Sequence, residues 1–344
     1  MNKDMQDESE IFRGTTTGTT QLRDKRSVRG TPRSGMPAFV LGEELADLAE
    51  DDPRIVVATA DLASANRTND FRDRHPERFV NFSIAEKNMI TAAAGMASTG
   101  LIPYVATFAS FAAILGTEAI RTDCAYPRMK VRILGSHSGM SMGFYGSSHH
   151  ALEDLGMMRC IADLTVVCAT DANHLRAILR ASLEHPGAMY IRLGRGRDPV
   201  VYDEVPKIAF GRAIRLREGS DLTIITCGSQ VRASLDAAAM LEEKGVSVRV
   251  VDMFTIDRMD EEEIRAAAET GAILTVEEHN VTGGLGSAVA EVLLDLPRIR
   301  FRKHGVPDKF VEVGPPAALY AHYRLDAEGV AGVAGELLDL REDA

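Results

Sequence analysis

Residues 54–108 contain, in order, RIVVATADL (54–62), IAEKNMITAAAGMAS (84–98) and YVATF (104–108). The first and last are short, rich in β-branched residues and almost continuously apolar, whereas the middle one is Ala-rich and long enough for a helix. Strands that are apolar on both faces and alternate with helices belong to a parallel sheet covered on both sides. The same rhythm extends outward. Upstream, FVLGEELADLAEDD (39–52) reads as a helix. Downstream come FAAILGTEAIRTDCAY (111–126, helix), KVRILGS (130–136, strand), LTVVCA (164–169, strand) and ANHLRAILRASLEH (172–185, helix). A stretch rich in Pro, Gly and charge near residues 193–213 then breaks the pattern. Beyond it the rhythm resumes with DLTIITCG (221–228, strand), VRASLDAAAMLEEKG (231–245, helix), VSVRVVDM (246–253, strand), EEEIRAAAETG (261–271, helix), AILTVEE (272–278, strand) and SAVAEVLLDL (287–296, helix).

The expected architecture is therefore α/β, with two parallel or mixed-sheet domains at about 35–200 and 205–344. They follow a disordered tail at 1–34 that is poor in large apolar groups. A chain of 344 residues is long enough for two full cores. With 39 basic against 50 acidic residues the formal charge is −11, which argues against a nucleic-acid surface as its main business. No apolar run approaches the ~20 residues that span a bilayer. The start MNKDMQDESEIF has no apolar signal core, so a cytoplasmic enzyme without membrane contact is expected. Cys124, Cys160, Cys168 and Cys227 have no metal-ligand or disulfide spacing and are read as buried reduced thiols.

In open α/β sheets ligands bind beyond the carboxyl ends of strands, and four such segments stand out. NFSIAEKNM (81–89) places Glu86 at the opening of a helix. Ser83-x-x-Glu86 fits a capping box, and a carboxylate among apolar groups could also exchange a proton with a bound heterocycle. ATFASF (106–111) sets Phe108 and Phe111 three apart, suited to core packing or to flanking a flat ring. GSHSGMSMGFYGSSHH (135–150) carries His137, Tyr145, His149 and His150 in a Gly- and Ser-rich segment. It reads as a surface loop or a functional one, with no carboxylate or thiol at metal-ligand spacing. In EEHNVTGGLGSAVAEVL (277–293), Gly283, Gly284 and Gly286 precede a helix whose amides could face an anion. Neither a P-loop nor a GxSxG elbow occurs.

Together ADLASAN (60–66), RFVNFSIAEKNM (78–89), PYVATFASF (103–111), GSHSGMSMGFYGSSHHALEDL (135–155) and VEEHNVTGGLGSAVAEVL (276–293) resemble the C-terminal half of transketolase, and more narrowly the second chain of a split transketolase. The resemblance implies a pyrimidine-binding domain, a C-terminal domain and thiamine diphosphate as cofactor. It also implies transfer of a two-carbon ketol unit from a ketose to an aldose. Glu86 falls on the family glutamate that hydrogen-bonds the aminopyrimidine ring nitrogen. Phe108 and Phe111 match aromatics around that ring, with Ile114 where many members have a third, and Asp61 lies in the segment facing the cofactor. His137 and His149 match histidines that contact the sugar and move protons, Asn66 faces the substrate channel, and Arg195 falls where the family holds the sugar phosphate.

Departures accompany the matches. The family's GEDGPTH reads GFYGSSH, so Tyr145 replaces an aspartate that pairs with a donor hydroxyl. A serine contact to phosphate is Ala65, and the arginine expected near Pro37 and Ala38 is not evident. The resemblance thus implies a non-standard sugar, whether branched, sulfonated, otherwise modified or unphosphorylated. A GDG motif followed by an Asn-containing run, the thiamine-enzyme signature for Mg²⁺ and diphosphate, does not occur in this sequence. A partner chain bearing the diphosphate-binding N-terminal half and the metal ligands is therefore implied, in an α₂β₂ heterotetramer. Two alternatives stay open on sequence: the β subunit of a 2-oxo acid dehydrogenase or a deoxyxylulose phosphate synthase-like enzyme, and a non-catalytic α/β scaffold subunit.

Overall fold

The computed structural model describes residues 40–195 and 198–340. The expected tail at 1–34 and positions Pro37 and Ala38 lie outside the described residues. A six-stranded sheet is built from β1 (Ile55–Thr59), β2 (Phe79–Asn81), β3 (Ile102–Phe108), β4 (Arg132–Ser136), β5 (Leu164–Cys168) and β6 (Ala188–Arg192). Its order is β2-β1-β3-β4-β6-β5 and every pairing is parallel. All six strands therefore end on one edge.

The continuous apolar runs have a simple cause, because alternate side chains of each strand enter two different cores. Val57, Tyr104 and Leu134 pack with Leu45 of α1 (Leu41–Asp51) and with Ile178 and Leu179 of α6 (Ala172–Ser182). Ala58, Val105 and Ile133 face the other way, against Met89 and Ile90 of α3 (Glu86–Ser98), Ala112 and Ala113 of α4 (Ala109–Ala119) and Leu155 of α5 (Asp154–Arg159). The helix α4 runs on as a π-helical turn, Ile120–Ala125, and a short helix α2 (Asn69–Arg74) precedes β2.

A second sheet takes β7 (Ile214–Arg217), β8 (Leu222–Thr226), β9 (Val248–Asp252), β10 (Ala272–Asn280) and β11 (Arg300–Val306) in the order β11-β10-β8-β9-β7. It is parallel except for β7, which runs antiparallel to β9 at the edge. Its helices are α7 (Gln230–Glu242), α8 (Glu261–Ala268), α9 (Leu285–Leu293), α10 (Pro316–His322) and α11 (Ala327–Leu337). The two sheets share one apolar cluster that includes Val166, Ile225, Val251 and Ile273. Residues 254–256 also close the exposed edge of β5: Cys168 N–H donates to Phe254 O at 2.8 Å and Ile256 N–H to Val166 O at 2.9 Å.

Two local readings are corrected. Ser83 does not cap α3, because it sits at φ +55 and the cap position is Ala85, with no side-chain cap bond. Glu86 is consequently the first helical residue rather than the third, so it cannot reach back as a capping box requires. Of the four cysteines, Cys124, Cys168 and Cys227 are buried but Cys160 is exposed, one residue past the end of α5.

Candidate active site

The parallel register of the first sheet gathers the carboxyl ends of its strands, and the expected residues arrive there from different loops. Asp61 follows β1, Glu86 follows β2, Phe108 ends β3, His137 follows β4 and Arg195 follows β6. The chain passes from β1 to β2 on one side and returns across β1 to β3, so the β1/β3 boundary is a topological switch point, where such sheets take ligands. Four non-glycine residues at this edge, Asp61, Arg67, Ser83 and His137, hold φ between 55° and 59°. Left-handed backbone at such residues is costly and tends to concentrate at functional sites.

Glu86 is 6% exposed at the first turn of α3, where a carboxylate gains from the helix N-terminus. Among the described residues its carboxylate makes no hydrogen bond or ion pair, whereas a buried carboxylate in a finished site is normally paired. Asp61, by contrast, is exposed and engaged with Asn81: its amide donates to Asn81 Oδ1 at 2.9 Å, and Asn81 Nδ2 donates to Asp61 Oδ1 at 3.3 Å.

Five rings form a continuous cluster. Phe108 meets Phe111 at 5.5 Å between centroids, His137 at 4.9 Å and His149 at 5.6 Å. His149 also contacts Phe111 at 5.2 Å and Tyr145 at 5.0 Å. Tyr145 and Ile114 are more than half exposed, and Ile114 lies on α4 one turn beyond Phe111. The histidine segment is not a loose surface loop, because Ser136 to Gly143 are all buried. Gly139 and Ala151 pair as an antiparallel bridge that closes the loop at its neck, with N–H···O distances of 3.1 and 3.0 Å.

The tautomer of His137 follows from its neighbours. With the Asn66 amide turned so that its oxygen accepts from Ser136 Oγ at 2.5 Å, its nitrogen donates to the Leu62 and Ala106 carbonyls. The Ser136 hydroxyl hydrogen is then used, so its oxygen accepts the Nδ1–H of His137 at 3.1 Å. Nε2 of His137 is left as a bare acceptor. Burial pushes His137 down to about 4, and the positive charges of Arg195 and Arg67, with His149, push in the same direction. His149 is lowered by burial as well. Both rings are neutral proton acceptors at neutral pH.

A pocket beside these groups is lined by Ala65, Asn66, Arg67, His137, Arg195 and Asp171, with Asp198 at its rim. Asp171 is occupied internally, capping α6 through His174 N and accepting the Val201 and Tyr202 amides at 2.7 Å. Arg195 donates to the Ser141 carbonyl at 3.3 Å. Arg67 was not singled out in the sequence. Its signal was a cation directly after Asn66, and only the left-handed backbone at Arg67 itself turns that position to the pocket.

The glycine segment behaves differently from expectation. The amides of Leu285 and Gly286 at the start of α9 do face an anion, but it is the chain's own Glu277, at 2.7 and 2.8 Å. That helix terminus is therefore filled. Among the described residues no group of three or more His, Cys, Asp and Glu is arranged to hold a metal ion.

Comparison with known proteins gives a consistent picture. The family model for the transketolase pyrimidine-binding domain matches residues 38–199, and that for the transketolase C-terminal domain matches 211–330. One of the two subunits of the apulose-4-phosphate transketolase of Phocaeicola vulgatus is 37% identical over 298 residues, covering 86% of this chain and 95% of that one. The 6-deoxy-6-sulfo-D-fructose transketolase subunit SqwH of a Clostridium species is 36% identical over 296 residues, covering 86% and 92%. Among solved structures, a split-gene transketolase described as an inactive β4 tetramer superposes with a TM-score of 0.78 at 40% identity, covering 88% of this chain and 97% of that one.

Proposed function

Because the chain belongs to the transketolase family, as the split-gene subunit carrying the pyrimidine-binding and C-terminal domains, we propose that it joins a diphosphate-binding partner to pass a two-carbon ketol unit between charged, non-standard sugars. The single observation that carries this reading is Glu86, a buried carboxylate with no partner among the described residues, on the sheet edge where the five-ring cluster lies. Those residues fit a flat aminopyrimidine. The carboxylate would hydrogen-bond its ring nitrogen, and Phe108 and Phe111 would pack against its face. Thiamine diphosphate, when bound, supplies the electron sink that lets a ketose carbon–carbon bond break. Asp61 and Ile114 would complete the cofactor side. His137 Nε2 and His149 would accept and return protons of the sugar's hydroxyls, beside Asn66 and Tyr145.

Arg67 and Arg195 favour a sugar with an anionic end. The charges acting on His137 are positive, so an anion beside it would be stabilised. Arg67 offsets the loss at Ala65, which makes a phosphorylated or sulfonated substrate a better fit than an uncharged one. The names of the two relatives, which act on apulose 4-phosphate and on a sulfonated fructose, support the same direction. Mg²⁺ and the diphosphate would be held by the partner chain in an α₂β₂ assembly, since the GDG signature is missing from this sequence, and the assembly would be cytoplasmic. Large apolar side chains near the site support such a seam, with Ile84 83%, Ile114 58% and Leu115 53% exposed. The inactive β4 state of the solved relative agrees with a chain that needs its other half.

The test is a reconstituted pair supplied with thiamine diphosphate, Mg²⁺ and a panel of ketoses: xylulose 5-phosphate, apulose 4-phosphate, 6-deoxy-6-sulfofructose and uncharged fructose. The pair should transfer from a charged ketose other than xylulose 5-phosphate, and each chain alone should be inert. Arg67→Ala should lower kcat/KM for that ketose about tenfold or more, as loss of one charged hydrogen-bonding partner does. Full turnover by the single chain, or CO₂ from pyruvate, would refute the activity. Efficient use of xylulose 5-phosphate with ribose 5-phosphate would refute the sugar assignment.

A further inference from the structure

The second sheet does more than fill out the core. The end of its central strand β10 holds the histidine loop at several points. Buried Glu278 accepts the Met140 amide at 2.7 Å and the Tyr320 hydroxyl at 2.6 Å on one oxygen, and the Ser229 hydroxyl at 2.6 Å on the other. Its own carbonyl accepts from Arg192 at 2.9 Å, and Arg192 also donates to the Ala151 carbonyl at 3.0 Å while paired with Asp154. One residue on, His279 Nε2 accepts the Gly156 amide at 3.2 Å, and Asn280 N–H donates to the Leu152 carbonyl at 2.9 Å.

These contacts converge on the neck formed by Gly139 and Ala151. His137 and His149 each stand two residues before a neck residue, and both rings touch Phe108. The separation of the two imidazoles is therefore set by the register of the neck. Gly139 is at φ +59, and a Cβ there would lie 2.1 Å from the Glu278 carboxyl carbon, so the loop backbone passes directly over that carboxylate.

We propose that Glu278 is a positioning residue for the two-histidine loop, through which the second sheet fixes the sugar-facing groups of the first. The inference rests on the reading of His137 and His149 given above, and its test separates the two. Hydrogen exchange is measured on the full chain, and steady-state kinetics on the reconstituted pair with the ketose it turns over best. In Glu278→Ala the Met140 and Ala151 amides should exchange about tenfold faster or more, as expected when local opening becomes easier. The kcat should fall about tenfold or more, as for displaced reacting groups, while the apparent affinity for thiamine diphosphate changes little. Glu278→Gln keeps an oxygen for Met140 and Tyr320, and Ser229 can turn to accept from the amide, so it should restore both readouts to within about threefold. Val330→Ala, in the second core, serves as a control chosen for comparable loss of melting temperature and should keep kcat. Should Glu278→Ala fail to assemble, Gly139→Ala tests the same contact from the loop side and should show the same pair of effects.

Unchanged loop exchange in Glu278→Ala would overturn the proposal. So would a kcat loss matched by Val330→Ala, or a Gln variant as impaired as the Ala one. If His137→Ala and His149→Ala both keep full kcat, the functional reading of the loop fails instead, and the exchange result still decides whether Glu278 holds it.

Discussion

Glu86 and His137 are buried beside one another's loops under opposite electrostatic conditions. Glu86 is left without a partner among the described residues, whereas His137 is tied to Ser136 and Asn66 and surrounded by positive charge. Burial and the two arginines disfavour the imidazolium, so the folded-state pKa of about 4 lies below the ordinary value of 6.5. The unfolded chain then binds the extra proton more readily between those values. The stability contribution of the neutral ring is complete above about pH 6.5 and is lost as pH falls toward 4. The imidazole resonances of His137 in the full chain should accordingly show no titration from pH 8 down to about 5.5, checked by NMR. A midpoint near 6.5 would contradict the assignment. Much of this residue-level picture was legible in order along the chain, because Glu86, Phe108, Phe111, His137 and His149 each follow or end a recognisable strand. Arg67 was not. Whether a charge after a strand faces solvent or a pocket depends on one backbone dihedral, which composition and spacing do not encode.

At the scale of single elements, the Gly-rich opening of α9 illustrates how a motif can be read correctly for type and wrongly for occupant. The amides point to an anion as expected, yet Glu277, fully buried on β10, supplies it from within the chain. Replacing Glu277 by Ala would leave two buried amides without an acceptor and should cost about 1–3 kcal/mol. That is measurable as a lowered urea midpoint at unchanged slope. A change below about 0.5 kcal/mol, the usual size of a surface substitution, would show that the cap is dispensable. The long periodic elements were legible because both faces of their strands are apolar. The pieces that escaped reading are short or irregular: β2 spans Phe79–Asn81, β6 runs directly into the Gly- and Pro-rich crossing, and β7 pairs antiparallel just after it. The capping box failed for a related reason, since the left-handed Ser83 moves the start of α3 two residues on.

For the molecule as a whole, residues 40–340 place the cofactor-facing and sugar-facing groups on one sheet and the clamp that orders them on the other. The carboxyl edge is flanked by exposed Ile84, Ile114 and Leu115, which suits a site finished by a second polypeptide. The alternation of strand and helix announced both sheets, but the contacts between β10 and the histidine loop join residues 138 positions apart and left no trace in local pattern. The central claim is that the Glu86 carboxylate bonds the ring nitrogen of thiamine diphosphate across that seam. It is tested most directly by the rate of hydrogen–deuterium exchange at C2 of the cofactor's thiazolium in the reconstituted pair, followed by NMR for wild type and Glu86→Gln at saturating thiamine diphosphate. The account predicts that Glu86→Gln still binds the cofactor but exchanges about 10²-fold more slowly or worse, the scale of a lost proton-transfer partner. Exchange in Glu86→Gln as fast as in wild type, with the cofactor bound, would contradict it.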